Sequence, residues 1–97
     1  MRTITHGDVT AAASAVRGLS REAQRQAILS LVEKAHAADR FRKRFGRVHP
    51  LWGNGSLMAA ALGAGAAPGE PFLADTDHLE AMAAVVEALL DRRRGPR

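Results

Sequence analysis

Histidine and serine are among the residue types in this chain that could act as catalytic or metal-binding groups. Four histidines are scattered without the i, i+4 spacing that places two metal ligands on one helical face: His6, His36, His49 and His78. His36 and Asp39 share a helical face and could form a hydrogen bond, but no third ligand or orienting group accompanies them. The sequence therefore predicts neither a metal nor a cofactor.

Ser56 lies in a Gly-Asn-Gly-Ser stretch that resembles a phosphate-binding loop only in its glycines. A P-loop needs a lysine within GxxxxGK[ST] and a preceding strand, and both are missing here. Ser56 also lacks the GxSxG context of a hydrolase nucleophile. The chain contains no cysteine, which excludes disulfides and thiolate metal ligands. We therefore expect no catalytic residue, and a protein that is not an enzyme.

A cluster of five positive charges is the strongest candidate for a binding site. It consists of Arg40, Arg42, Lys43, Arg44 and Arg47. Such a cluster could bind the phosphates of DNA or another polyanion, by backbone contacts because no base-reading set is evident. The alternative is a solvated helix end whose cations complement the helix dipole, which explains two or three such charges but not five. Phe41 and Phe45 are interleaved with the cluster, and we expect both to point to the core.

Two further features have both a structural and a binding interpretation. A set of C-terminal arginines is either a solubilising helix end or a basic tip that binds an acidic partner: Arg92, Arg93, Arg94 and Arg97. Trp52, the only tryptophan, is in most such cases a core residue and less often an interface hot spot.

Length and charge limit the class of protein. A chain of 97 residues fits one domain, and its alanine-rich apolar content gives a small core, so we expect a homo-oligomer. The charge is polarised: residues 1–49 contain ten basic and four acidic residues, and residues 50–91 contain six acidic and no basic residues. This distribution suits an anionic partner on one surface and head-to-tail or other partner contacts on another.

The elements that position these residues are all helical, and an all-α single domain over residues 1–97 is predicted. Thr5 and Asp8 form a capping box for a first helix over residues 6–17. Ser20 caps a second helix over residues 21–45, which Gly46 ends. At roughly 37 Å the second helix should project beyond a small core and bury its free part against another copy. The expected oligomer interface is Ile28, Leu31, Val32, Ala35, Phe41 and Phe45.

The first two helices could form a helix-turn-helix, but the second is too long for a recognition helix, so we favour a hairpin over residues 1–46. Residues 47–74 should hold a loop, a short buried helix over residues 55–62 capped by Asn54, and a Gly/Pro linker. Asp75 or Thr76 caps a last helix in residues 75–97. Its strong apolar stripe consists of Leu79, Met82, Ala83, Val86, Leu89 and Leu90.

The chain has no apolar segment of the kind that directs secretion or spans a bilayer. Residues 3–8 are polar where a signal peptide would be apolar, and the most apolar run, residues 57–67, is too short to cross a membrane. We therefore expect a cytoplasmic protein without membrane contact.

Several segments together resemble a known family. They are residues 1–9 (MRTITHGDV), 35–47 (AHAADRFRKRFGR), 49–62 (HPLWGNGSLMAAAL), 71–75 (PFLAD) and the final helix. Over nearly the whole chain they resemble the small proteins encoded beside the large terminase in bacterial gene transfer agent clusters, which are regarded as small terminases. The resemblance implies an oligomer that binds DNA and passes it to the large terminase subunit. A ring is one form that such an oligomer takes.

Under this resemblance the first two helices are the hairpin, the arginine cluster contacts DNA, and the C-terminal segment binds the partner. Larger phage relatives have a separate N-terminal helix-turn-helix domain for which this chain has no room, so DNA binding should be non-specific and salt-sensitive. The leading hypothesis is a non-catalytic, oligomeric DNA-packaging adaptor. The runner-up is a small helical regulatory adaptor that binds one protein partner without contacting DNA.

Overall fold

The computed structural model describes residues 1–66 and 75–95, and these residues form four helices. The helices are α1 (His6–Val16), α2 (Arg21–Phe45), α3 (Leu57–Gly63) and α4 (Thr76–Arg94). The only strand-like pairing in the described residues is an isolated bridge between His49 and Gly53, so the predicted all-α class is confirmed. No helix in these two ranges is long and apolar enough to cross a membrane. Part of the expected Gly/Pro linker, residues 67–74, lies outside the described residues.

Local hydrogen bonds set the starts of the first two helices and the end of α2 as the sequence predicts, whereas α1 ends at Val16, one residue earlier than expected. The Thr5 side chain accepts a hydrogen bond from the Asp8 backbone N–H, and the Asp8 side chain accepts one from the Thr5 backbone N–H. Ser20 caps α2 through the Ala23 backbone N–H. Gly46 ends α2 in the left-handed conformation, where its N–H donates to the Arg42 carbonyl. The 25 residues of α2 are therefore uninterrupted.

The third helix begins later than predicted, because Ser56 and not Asn54 is its N-cap. The Ser56 side chain accepts a hydrogen bond from the Ala59 backbone N–H. Asn54 instead accepts one from the Ser56 backbone N–H, which closes a turn ahead of the helix. The helix is buried on one face only, since Met58 and Leu62 are exposed.

The core lies where α1 and α2 each pack against α3 and α4, and α1 and α2 also contact one another. Ten of its 16 buried apolar residues are alanines, so the helices approach closely but bury little area per residue. These alanines are Ala11, Ala12, Ala13, Ala35, Ala60, Ala61, Ala66, Ala81, Ala84 and Ala88.

The core also corrects the predicted oligomer interface. Ile28, Leu31, Val32 and Ala35 are at most 3% exposed, because they pack inside the chain itself. In this fold they are not accessible to a second copy. Of the predicted interface residues only Phe41 and Phe45 keep exposed surface, beyond the core at the end of α2.

A second correction concerns α4, whose buried face differs from its apolar stripe. The residues buried on α4 are His78, Ala81, Ala84, Val85 and Ala88. Met82 and Leu89 pack partly against the core, but Leu79, Val86 and Leu90 are 45%, 44% and 45% exposed. The small residues face the core because they let α4 approach the alanine face of α1, and the large ones are left at the surface.

Ion pairs between basic and acidic segments account for part of the charge polarity of the sequence. Arg21 pairs with Glu87 at 3.0 Å and Arg25 with Asp91 at 2.9 Å, so α2 and α4 run in the same direction. Arg17, after α1, pairs with Asp75 at 2.6 Å. These arginines are therefore neutralised within the chain.

Candidate nucleic-acid interface

The last six residues of α2 extend beyond the core, and the chain then folds back along them. No residue from 40 to 45 is fully buried, whereas buried positions recur along α2 up to Asp39. After the turn at Gly46, paired backbone hydrogen bonds between His49 and Gly53, 3.0 and 3.2 Å long, close a tight loop. The helix end and this loop together form a separate surface, which we call the α2 tip (residues 40–53).

His49 organises the loop of the α2 tip. Its Nδ1 accepts hydrogen bonds from the backbone N–H groups of Leu51 and Trp52, both at 3.0 Å. Its ring stacks on Trp52 with centroids 4.7 Å apart and planes 6° from parallel. The same ring meets Phe41 edge-on at 4.9 Å. Trp52 is thus neither a core residue nor a free surface side chain, but a half-buried stacking partner of His49.

The aromatic row continues to Phe45, and arginines lie over it. The rings of Phe41 and Phe45 are 4.7 Å apart. The Arg44 guanidinium lies 5.5 Å from the Phe45 ring centre, and that of Arg47 lies 5.9 Å from the Phe41 ring centre. Phe45 is 55% exposed and Phe41 is half-buried outside the core, so the expectation that both point to the core is wrong. The physical reason is that Phe41 and Phe45 lie in the part of α2 that extends beyond the core.

Asp39 divides the five positive charges of the cluster into two groups. Its buried carboxylate contacts Arg42 at 2.9 Å and Lys43 at 3.2 Å. The hydrogen bond from Arg42 is the main reason that the pKa of Asp39 lies well below its usual range. Within the described residues Arg40, Arg44 and Arg47 form no ion pair with any carboxylate. Three of the five predicted DNA-binding residues therefore carry unneutralised charge, and two are held by Asp39.

The α-amino group of Met1 is the third cation on Asp39, at 3.3 Å. His36 Nδ1 accepts a hydrogen bond from the same ammonium at 2.9 Å. His36 and Asp39 thus share a face, as the spacing predicts, but they meet through the ammonium and not through a direct bond. The positive ammonium, together with burial, lowers the pKa of His36.

The C-terminal arginines form a second basic surface, at the end of α4. Arg92 and Arg93 line an open groove of about 770 Å³ together with Arg2. Apolar side chains of Ile4, Val86, Leu89 and Leu90 also line this groove. Arg94 is exposed nearby on the last turn of α4, and Arg97 lies outside the described residues.

Sequence reasoning missed His49 as an organising residue and Asp39 as an anchor. The signal for Asp39 was present, since it precedes Arg42 and Lys43 by three and four residues, the spacing of helical ion pairs. No comparable pattern marks His49, because its partners are backbone amides of a loop.

No curated protein and no solved structure matches this chain. A family model does match, over residues 2–89, and its description is a domain of unknown function. Because the match covers all four helices of the described structure except the last residues of α4, the chain belongs to the family of domains of unknown function named DUF7742.

Proposed function

We propose that this protein is a non-catalytic DNA-binding adaptor of the small-terminase type, which binds the phosphate backbone through the α2 tip. The observation that carries the proposal is that Arg40, Arg44 and Arg47 lack a carboxylate partner in the described residues, and that Arg44 and Arg47 lie over a partly exposed aromatic row. Unpaired guanidinium groups can exchange their counterions for DNA phosphates, which favours binding. Exposed rings add apolar contact to sugars and bases.

The ion pairs that other arginines form also favour the α2 tip as the DNA-binding surface. Arg17, Arg21 and Arg25 are engaged with carboxylates of the second half of the chain. Positive potential is consequently concentrated where no carboxylate balances it, at the α2 tip and at the end of α4. Three phosphate contacts per chain give weak binding, so several copies on one DNA are needed for tight association. An oligomer, a ring among the possible forms, meets this need.

The packaging role rests on the resemblance to gene transfer agent small terminases. In that role the α2 tip holds DNA and the α4 end, with Arg92, Arg93 and Arg94, recruits the large terminase subunit. Their fixed charges and exposure suit an acidic partner surface. The protein itself contributes binding and no chemistry.

The decisive experiment compares two triple variants by fluorescence anisotropy on a labelled DNA duplex across a salt series. In the first, Arg40, Arg44 and Arg47 are changed to alanine. In the matched control, Arg17, Arg21 and Arg25 are changed to alanine, which removes the same charge from paired positions. The first variant should lose most of its affinity, and the slope of log affinity against log salt should fall by about 2.7.

The control should keep most of the affinity and slope, because its arginines are already engaged. Equal losses in the two variants would mean that only net charge matters and that the α2 tip is not the site. Circular dichroism before each titration confirms that both variants are helical.

The second candidate function, a protein adaptor that never contacts DNA, is favoured by one observation, the exposed apolar residues of α4. DNA binding and partner capture, both measured on the wild-type chain, distinguish the two candidate functions. Absence of DNA binding at low salt, with retained capture of the large terminase, selects the second. Changing Arg92, Arg93 and Arg94 to alanine then tests whether the α4 end holds that partner.

A further inference from the structure

The exposed side of α4 carries a continuous apolar row. Leu79, Ala83, Val86 and Leu90 follow one another at the i, i+4, i+7, i+11 spacing of a single helical face. All four are exposed, the three large ones by 44% to 45%. Met82 and Leu89 border the row on the side toward the core. A row of this kind on a surface helix marks a contact with another molecule, because exposed apolar area is costly in water.

We propose that this row is the interface with a second copy of the chain, in which the two α4 helices pack antiparallel about a two-fold axis. The spacing within the row supports this arrangement, because it reads the same from either end. An antiparallel alignment that places Leu79 opposite Leu90 of the second copy also places Ala83 opposite Val86 of the second copy. The small side chain thus meets a larger one, and the face is complementary to itself.

The charges on α4 favour the antiparallel direction. Acidic residues lie in its first turns and arginines in its last turn, namely Asp77 and Glu80 against Arg92, Arg93 and Arg94. Antiparallel packing brings the basic end of each helix to the acidic end of the other, whereas parallel packing would bring arginines together. At about 100° per residue, Glu80 and Arg94 fall on the same side of the row. In the alignment above, Arg94 of one copy lies about five residues, roughly 7 Å along the helix, from Glu80 of the other copy, within reach of the arginine side chain.

The other acidic residues of α4 are already engaged. Glu87 and Asp91 pair with Arg21 and Arg25 of α2. The groove between the N-terminal segment and α4 continues the row, since Val86 and Leu90 line it together with Ile4. A second α4 seated on the row would thus find apolar surface on both sides of Val86. The row spans eleven residue steps, roughly 16 Å, so the dimer should be of moderate affinity.

This inference rests on the oligomeric part of the proposed function, but not on DNA binding. The exposed row of α4 takes the place of the buried face of α2 as the expected interface with a second copy. A dimer doubles the number of α2 tips available to one DNA molecule, which is the way in which it would serve the proposed function.

The experiment measures mass against concentration by sedimentation equilibrium, in the absence of DNA. The wild-type chain should pass from monomer to dimer. Leu90→Glu and, separately, Val86→Glu should weaken association by about a hundredfold, since each copy contributes a loss of about tenfold. The matched control is Leu62→Glu, because Leu62 is 46% exposed on α3, a helix that does not contact α4. This control should dimerise like the wild type.

A charge exchange tests the direction of packing. Glu80→Arg alone and Arg94→Glu alone should each weaken the dimer about threefold or more, and the double variant should restore it, since each copy then supplies both reversed charges. A monomeric wild type at every concentration overturns the inference. A dimer that Leu90→Glu leaves intact, or that the double exchange fails to restore, overturns the α4 interface. DNA anisotropy on the same variants reports on the α2 tip separately, so either proposal can fail alone.

Discussion

Gly55 lies directly against Asp39: a β-carbon on Gly55 would be 2.7 Å from both the Cα and the Cβ of Asp39. Gly55 also has a φ of +94°, a conformation that side chains disfavour. Its carbonyl accepts a hydrogen bond from the Arg2 backbone N–H at 2.9 Å. This one residue therefore joins the N-terminal segment, the loop of the α2 tip and the residue of α2 that carries the buried carboxylate.

Gly55→Ala should lower the free energy of unfolding by about 2 to 4 kcal/mol, from backbone strain and the clash with Asp39 together. Gly18→Ala is the matched control, because Gly18 has a φ of +84° but nothing within 4 Å of its added carbon. Its loss should be about 1 to 2 kcal/mol, from strain alone. Urea unfolding of both variants measures the difference. Equal losses would show that the contact with Asp39 contributes nothing.

Asp39 should make the stability of the fold sensitive to acid. Because its pKa is depressed in the folded chain, the unfolded chain binds more protons as the pH falls, and stability falls with it. The contribution is complete above the ordinary value of 3.8 and is lost as the pH drops below it. Asp39→Asn should flatten the pH dependence of the urea midpoint in this range.

The flattening should be partial, because the pKa of Asp75 is also lowered, chiefly by its hydrogen bond from the His78 backbone N–H. At neutral pH the same variant should be less stable than the wild type, since it leaves Arg42 and Lys43 without their carboxylate. An unchanged pH profile in Asp39→Asn would contradict the assignment.

Asp8 connects α1 to α3 through one buried carboxylate. One oxygen accepts a hydrogen bond from the Thr5 backbone N–H at 2.8 Å, and the other accepts one from the Met58 backbone N–H at 2.9 Å. Asp8→Ala should cost about 3 kcal/mol, because it removes a cap and leaves backbone donors unsatisfied. Asp77→Ala, at an exposed first-turn position of α4, should cost at most about 0.5 kcal/mol. Thermal unfolding of the two variants checks the contrast.

His49→Ala should open the loop of the α2 tip, because the backbone N–H groups of Leu51 and Trp52 lose their acceptor. Since Trp52 is the only tryptophan, its fluorescence reports on this loop alone. The emission should move to longer wavelength as the indole becomes more exposed. Leu51→Ala is the control, since Leu51 is 75% exposed and its N–H remains bonded. An emission spectrum that His49→Ala leaves unchanged would refute the organising role of His49.

The starts of α1 and α2 and the end of α2 were predictable because each depends on residues close by in the sequence. Thr5, Ser20 and Gly46 act on backbone groups within four residues of themselves. The N-cap of α3 was misassigned because Asn54 and Ser56 are both good caps; Asn54 instead closes a turn with the Ser56 backbone N–H, and Ser56 caps the helix.

The face of α4 could not be read from hydrophobicity, because an alanine core prefers small residues over large ones. The apolar stripe therefore lies beside the buried face and not on it. On α2, by contrast, the large residues Ile28, Leu31 and Val32 do face the core, so the oligomer interface expected there was wrong. For the candidate site, the five cations can be read from the sequence, but their division by Asp39 depends on which side chains the last turns of α2 bring together.

The ion pairs between α2 and α4 help to fix the position of one helix along the other. Ala81, Ala84 and Ala88 are small and resist a slide of α4 by one turn along α2 less than the buried Val85 and His78 do. Such a slide would place Arg21 opposite Asp91, or Arg25 opposite Glu87, and would leave the other arginine without a carboxylate. Each exposed pair adds at most about 1 kcal/mol to stability. Together they add to Val85 and His78 in fixing the register of α4 along α2.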